Sequence, residues 1–311
     1  MTALRVWTVW TATCVLWSTV WLAIKIGVSS TPPLTVAWVR LAIALAVLVP
    51  VAAARSQLRP PSLTNLRMLA VSGLLLLGLN YACVFWASQY LPSALVAVIQ
   101  SATPVAGMLL GTAWGVERAT REKTVALLIG MAGVGVICAP RLSAQESPHV
   151  VLAFVAALLS VLCVAAGYVF VKASGHHLSP TTVITWQMIA GGVPLAIAAL
   201  VLEGSPFAVP WTRSALAATV YLALAGSVCA FWLNYWLLQR MPASALLLMG
   251  VVETPLAAML GRIVLGERLG GWTWAGTMIV LAATGMMIRA SRRSNKKPGT
   301  PCPGAESSGL V

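Results

Sequence analysis

The chain has 311 residues, of which 59% are hydrophobic and only 9% are charged, and its mean hydropathy is +0.89. A soluble domain carries about 25% charged residues, so this composition excludes an ordinary soluble fold and predicts a membrane protein. The formal net charge is +13, but the basic residues stand between long apolar runs and form no basic face, so nucleic acid is excluded as a partner.

Ten apolar runs follow one another along the chain, and each is close to the roughly 20 residues that an α-helix needs to cross a bilayer. The predicted spans are 4–28, 33–54, 66–90, 93–115, 121–140, 149–172, 180–202, 213–240, 243–265 and 271–289. The predicted fold class is therefore an all-α integral membrane protein with ten transmembrane helices. The polar, Pro/Gly-rich and basic segment 290–311 is predicted to be a disordered tail.

The distribution of Lys and Arg predicts the orientation, because cytoplasmic loops carry an excess of basic residues. With the N-terminus inside, 14 basic residues fall on the cytoplasmic side and 5 on the other, while Arg40 lies within a helix. This bias predicts a multi-pass protein of the cytoplasmic (inner) membrane with both termini, and hence the tail, in the cytoplasm.

Residues 89–118 and 239–268 have closely similar sequences, which indicates an internal repeat. Matching residues are 150 apart in these stretches and 147 apart upstream: Gln89/Gln239, Pro92/Pro242, Glu117/Glu267, Lys25/Lys172 and Pro33/Pro180. The repeat is five helices long, which predicts two domains, 4–140 and 149–289. Because five is odd, the halves enter the membrane in opposite orientations, an inverted repeat that recurs in secondary transporters.

Three stretches carry a family resemblance: "LWSTVWLAIKIG" (16–27), "YLPSALVAVIQSATPV" (90–105) and "MPASALLLMGVVETPLAAMLGRIVLGERL" (241–269). They resemble the drug/metabolite transporter superfamily, and most closely its EamA-type members with two EamA repeats. The resemblance implies a ten-helix exporter or permease of small metabolites, with a central cavity lined mainly by helices 1, 3, 4, 6, 8 and 9. One departure is Val116-Glu117, where the pattern expects Gly-Glu.

Glu253 is the acidic residue that lies deepest in an apolar run, two residues before Pro255. A charge at membrane depth is costly, so it is a functional candidate. One interpretation is a proton-coupling site or a clamp for a substrate amine. The other is a structural partner of Arg40 or Lys25.

Two cations in the spans also have two interpretations each. Arg40 is expected to order the bundle through an ion pair, or else to bind a substrate carboxylate. Lys25 lies near a helix end, where lysine side chains usually extend to the membrane interface, although it is also a candidate intramembrane charge.

Aromatic residues mark a candidate substrate cavity. Trp17, Trp21 and Lys25 are four residues apart and share one helical face, and Tyr168 lies on the equivalent face of helix 6. Trp21 and Tyr168 are predicted to flank the cavity and to stack on an aromatic or apolar substrate. The alternative is an aromatic belt at the membrane interface.

Asn80 and Asn234 lie on the same face of equivalent helices, one turn apart. Because a bare amide facing lipid is costly, they are predicted to line the cavity or to form hydrogen bonds between helices. The weaker companions are Tyr81, Gln100 and Tyr235.

The predicted function is a secondary transporter that exports small organic metabolites, amino acids or related compounds, by alternating access, with proton coupling as an option. The alternatives are a non-transporting scaffold or receptor and an intramembrane lipid-modifying enzyme, which would need an acid/base or nucleophile cluster. No catalytic residue, cofactor or metal site is predicted, since the cysteines and histidines lack metal-ligand spacing. The expected partners are a small-molecule substrate and the lipid bilayer, and a homodimer stays open.

Overall fold

The structure is a computed structural model that describes residues 3–54, 57, 61–116, 120–138, 147–174, 178–238, 240, 249–267 and 270–295. The described residues are helical apart from short connections, which confirms the all-α fold class. The helices are α1 (Ala3–Val28), α2 (Pro33–Ala54), α3 (Leu63–Tyr90), α4 (Ser93–Ala113), α5 (Arg121–Cys138), α6 (Pro148–Ala173), α7 (Pro180–Leu202), α8 (213–238), α9 (Met249–Leu265) and α10 (Gly271–Asn295).

Within the described residues, seven of these helices are long and apolar enough to cross a membrane: α1, α2, α3, α4, α6, α7 and α8. The protein is therefore a multi-pass membrane protein. The crossing of the membrane by α5, α9 and α10 stays a prediction.

The sequence explains where the helices begin and end. The hydroxyl groups of Ser62, Ser179 and Thr212 accept hydrogen bonds from backbone N–H groups in the first turns of α3, α7 and α8, which satisfies donors that a helix start leaves unpaired. Gly115 and Gly266 follow α4 and α9 with φ angles of 68° and 67°. Such left-handed residues favour glycine and terminate helices.

Both halves contain the same irregularity at the same place. The segments Leu74–Leu79 in α3 and Leu224–Cys229 in α8 are π-helical turns, 150 residues apart. A π-turn inserts one residue into the helix and is frequent at functional sites. The offset equals that of the sequence repeat, so the duplication extends to the local backbone geometry.

The two halves of the chain are interleaved. Helix α2 packs against α8, and its repeat equivalent α7 packs against α3. The close approach of α3 and α7 depends on Gly73 and Gly191, since a Cβ at Gly191 would lie 2.4 Å from the Gly73 carbonyl oxygen. Each half therefore completes its packing with helices of the other half.

Hydrogen bonds join the connections at each end of the bundle. At one end, Ser30 bonds the side chain of Thr212, and the Glu203 carboxylate accepts from the N–H groups that begin α2. At the other end, the Thr182 hydroxyl donates to the Gln57 carbonyl. The α1–α2 and α7–α8 connections thus lie at one end, and the α2–α3 and α6–α7 connections at the opposite end.

One predicted boundary needs correction. The tail predicted from residue 290 overlaps α10, which continues to Asn295, and residues 296–311 lie outside the described part of the chain. The sequence has neither glycine nor proline between Gly285 and Pro298, so nothing in it breaks the helix earlier. The predicted span 93–115 agrees with α4, Ser93–Ala113, in which helix geometry is locally irregular at Ser101 and Ala102, just before a proline in the first turn of its second segment.

Candidate functional site

The Glu253 carboxylate on α9 is held by α1. Its Oε1 atom accepts a hydrogen bond of 2.9 Å from the Trp21 indole N–H. The Ser18 hydroxyl, one turn earlier on α1, donates to the Glu253 carbonyl oxygen at 3.2 Å. The structure therefore ties Glu253 to an aromatic residue, whereas the sequence analysis considered Arg40 or Lys25 as its partner.

Tyr168 is an exposed residue on the packed face of α6. The opposite face of α6 is exposed, as expected for contact with lipid, at Leu152, Val155, Leu159 and Leu162. Tyr168 shares its face with the buried Ala157 and Val161, yet 59% of its side chain is exposed. It is also close enough to Tyr81 and Glu253 for electrostatic interaction. An exposed side chain on a packed face indicates open space next to Tyr168, in the same region as Glu253.

The two tryptophans of α1 differ in their surroundings. Trp17 is half-buried and packs against the cluster of Cys14, Leu237 and Met249. Trp21 is also half-buried, but its indole N–H reaches Glu253. Trp21 thus belongs to the site, and Trp17 packs between α1, α8 and α9 just beside it.

Arg40 is almost completely buried, with 3% of its surface exposed. Its Nε donates to the Ser227 hydroxyl at 2.9 Å, and an Nη2 donates to the Gly226 carbonyl at 3.4 Å. The guanidinium carbon lies 4.8 Å from the ring centre of Tyr81. Within the described part of the chain, Arg40 therefore contacts the π-turn of α8 through neutral groups and forms no ion pair.

Lys25 caps the C-terminal end of α3. Its Nζ donates to the carbonyl oxygens of Ser88, Gln89 and Leu91 at 2.8, 3.1 and 2.9 Å. The last carbonyl groups of a helix lack helical partners and carry partial negative charge, so an ammonium group is favourable there. The lysine is directed at the protein backbone at the end of α3, and its extension to the membrane interface stays a prediction.

The predicted asparagine pair has a mixed outcome. The Asn80 amide donates to the Leu76 carbonyl of its own helix at 3.0 Å, across the π-turn. Its Oδ1 atom is buried and has no hydrogen-bond partner. Asn234 is half-buried on α8. The side chain of Tyr235 lies outside the described part of the chain, so its role stays a prediction.

Gln100 forms the interhelical bond that was expected of the asparagines. Its amide donates to the Ser160 hydroxyl of α6. Gln100 thus links α4 to the same helix that carries Tyr168.

Sequence reasoning missed the role of Glu203, which follows α7. Its carboxylate accepts from the backbone N–H groups of Leu34 and Thr35 at 2.9 and 2.7 Å. Glu267 acts in the same way on Ser93 and Ala94, at the start of α4. An acidic residue next to a positive-φ glycine, as in Glu203-Gly204 and Gly266-Glu267, is the signal that marks both caps.

Within the described residues, no three His, Cys, Asp or Glu side chains come together as metal ligands. The chemistry that the site offers is instead one carboxylate, the indole of Trp21 and the phenol of Tyr168. These groups can bind a cation or a proton and can stack on an apolar ring.

The chain is similar to known membrane proteins along most of its length. The sequence pattern of the EamA-like transporter family matches residues 7–139 and 151–289, one match in each half. Protein PecM of Dickeya dadantii is 27% identical over 75% of this chain and 77% of its own length. The uncharacterized inner membrane transporter YedA of Escherichia coli K12 is 28% identical over 86% of both chains.

Two further comparisons extend the likeness. A probable amino-acid metabolite efflux pump of Salmonella typhimurium is 26% identical over 86% of this chain and 89% of its own length. A solved crystal structure matches with a TM-score of 0.63 at 19% identity, over 94% of this chain and 99% of that chain, which supports the fold alone. The paired matches of the family pattern cover both halves of the sequence, and on that basis the chain belongs to the EamA-like transporter family.

Proposed function

We propose that the chain is a secondary transporter that exports small organic metabolites, amino acids or related compounds, across the cytoplasmic membrane by alternating access. The observation that carries the proposal is the Glu253 carboxylate, held by Trp21 beside the exposed, inward-facing Tyr168. An ionisable group at membrane depth marks a transport pathway more often than a structural contact. The name of the Salmonella typhimurium relative, a probable amino-acid metabolite efflux pump, supports export and the substrate range.

The proposed architecture is ten membrane spans in two inverted five-helix repeats, 4–140 and 149–289, with both termini in the cytoplasm. The exchanged packing of α2 with α8 and of α7 with α3 supports it. Two equivalent halves that share their contacts can rock against each other, and a central site is then open to one side at a time.

We further propose that Glu253 couples export to the proton gradient. A carboxylate that picks up a proton loses its charge, which lowers the cost of moving it through an apolar passage. In this scheme Glu253 takes up a proton from the outside when the substrate is released there. The protein with protonated Glu253 then returns to the inward-open conformation.

Counterflow is the experiment that tests transport, because it needs no assumed energy source. Purified protein is placed in liposomes loaded with an unlabelled pool of amino acids and related metabolites, and the uptake of each labelled compound is measured. Transient accumulation of a labelled compound supports the carrier. If folded protein takes up no labelled compound from a broad pool of metabolites, the result would count against the carrier and favour the non-transporting scaffold or receptor.

The coupling proposal has a separate test. In inverted membrane vesicles, whose lumen corresponds to the outside of the cell, an acidic lumen should drive accumulation of substrate by the wild-type chain. It should fail to do so in Glu253→Gln, which keeps an oxygen for Trp21 but cannot ionise. If the variant still accumulates substrate in response to the gradient, Glu253 is not the coupling group.

A further inference from the structure

Three charged side chains are the candidate intramembrane charges of the site: Lys25, Arg40 and Glu253. Their surroundings decide which charge the cavity presents to a substrate. A charge that neighbouring groups have already neutralised or satisfied attracts a ligand weakly, while one that faces open space attracts the opposite charge strongly.

Both cations are already occupied by the protein. The three N–H bonds of the Lys25 ammonium group match three carbonyl acceptors at the end of α3. The Arg40 guanidinium is covered by Tyr81 on one face and donates to Ser227 and Gly226. With 3% of its surface exposed, Arg40 offers no open side to a substrate carboxylate.

The Glu253 carboxylate, in contrast to the two cations, is not neutralised by its neighbours among the described residues. Its one described hydrogen bond to a side chain comes from Trp21, a neutral donor that leaves the negative charge in place. Tyr168, close to it, has more than half of its side chain open to the cavity. The site therefore presents one negative charge that is bonded to a tryptophan N–H and lies near a tyrosine.

The geometry points to an amphipathic organic amine as the transported substrate: a compound with an ammonium group for Glu253 and an aromatic or apolar part for the rings of Trp21 and Tyr168. Ammonium groups bind both carboxylates and the faces of aromatic rings. This inference rests on the proposed transport function and narrows its substrate class. Amines are expected to bind well, and anionic metabolites poorly, because neither Arg40 nor Lys25 is available to hold a carboxylate.

Binding to the purified full-length chain in detergent tests this without any transport step. Three probes of matched shape are compared by calorimetry: 2-phenylethylamine, the neutral 2-phenylethanol and the anionic 3-phenylpropanoate. The amine is expected to bind about tenfold or more tightly than the alcohol, as a charge-assisted hydrogen bond implies, and the carboxylate most weakly. Equal binding of the amine and the carboxylate, or no binding of the amine, overturns the inference.

Two variants test whether Glu253 is the carboxylate that binds the amine. Glu253→Gln should reduce the affinity for the amine to that for the alcohol and leave the alcohol unchanged. Glu203→Gln is the matched control, because Glu203 caps the start of α2, and the amine-to-alcohol ratio should stay at the wild-type value. An unchanged ratio in Glu253→Gln overturns the role given to that carboxylate.

A second pair of variants guards against a misfolded Glu253 variant. Tyr168 is exposed, so Tyr168→Leu should fold, and loss of the ring should weaken amine binding several-fold. Tyr168→Phe keeps the ring and should bind the amine like the wild type. Equal binding by the leucine and phenylalanine variants would exclude the ring from the site.

Binding and counterflow separate this inference from the proposed function. Amine binding without counterflow of any compound would retain the amine-binding site and defeat the carrier, and with it transport of the amine. Counterflow of carboxylates by a protein that does not bind amines would retain the carrier and defeat the inference. Exchange of amines that is lost in Glu253→Gln supports both.

Discussion

Arg40 and Gln187 occupy equivalent positions in the two halves, and each donates a hydrogen bond to a serine of the opposite half. Arg40 reaches Ser227 at 2.9 Å, and Gln187 reaches Ser72 at 2.8 Å. Both serines lie in α3 or α8 at or just before the π-turn. The two polar contacts thus join the halves at the places where the helices are irregular.

The two contacts are expected to differ in strength, because only one involves a charged donor. A double-mutant cycle of Arg40→Leu with Ser227→Ala should give a coupling free energy of about 1.5–3 kcal/mol, and a cycle of Gln187→Leu with Ser72→Ala about 0.5–1.5 kcal/mol. The measurement is the free energy of unfolding in mixed micelles. Equal coupling in the two cycles would show that the charge of Arg40 adds nothing to its contact.

Lys25 is expected to stabilise the α3–α4 hairpin. Lys25→Met removes three hydrogen bonds to the end of α3 and should lower the free energy of unfolding by about 1.5–3 kcal/mol. Arg213→Met is the control, because Arg213 is an exposed basic residue at the first turn of α8, where a positive charge is unfavourable. If both variants lose the same stability, the loss reflects general membrane anchoring and not the cap.

How far the sequence predicts this site depends on the kind of contact. The spacing of Trp17, Trp21 and Lys25 places them on one helical face, and the repeat offset leads from Trp21 to Tyr168, which does lie near Glu253. Periodicity and self-similarity are properties of the sequence, so these placements could be predicted.

The partners of the cations could not be predicted in the same way. Lys25 is bound by backbone carbonyl groups, and every residue has one, so no residue type marks the acceptors. The π-turn that presents Gly226 and Ser227 to Arg40 likewise has no sequence signature. An ion pair was the natural expectation from side chains alone, but the described partners are backbone carbonyl groups and one serine hydroxyl.

Gly73 is expected to set the distance between α3 and α7. A Cβ at Gly73 would lie 2.5 Å from the Gln187 carbonyl oxygen and 2.8 Å from its Cα, both backbone atoms that cannot rotate away. Gly73→Ala should therefore destabilise the protein by about 1–3 kcal/mol. The same free energy of unfolding in mixed micelles measures the effect.

Gly107 in α4 is the matched control for Gly73. A Cβ there has nothing within 4 Å, so Gly107→Ala should be neutral or stabilise the protein by about 0.5–1 kcal/mol through helix propensity. Equal changes in the two variants would mean that helix propensity alone decides the outcome and that the contact with α7 is loose.

Acid should weaken amine binding, because a proton and an ammonium group compete for the same carboxylate. Among the described residues, the titratable groups that interact with Glu253 are the thiol of Cys14 and the phenol of Tyr168, which are neutral in the acid range. The affinity for 2-phenylethylamine should therefore fall with decreasing pH, at most about tenfold per pH unit for one proton. In Glu253→Gln the weak residual affinity should not change with pH. A wild-type affinity that does not depend on pH would show that the amine and the proton use different groups, and export would then need a coupling site other than Glu253.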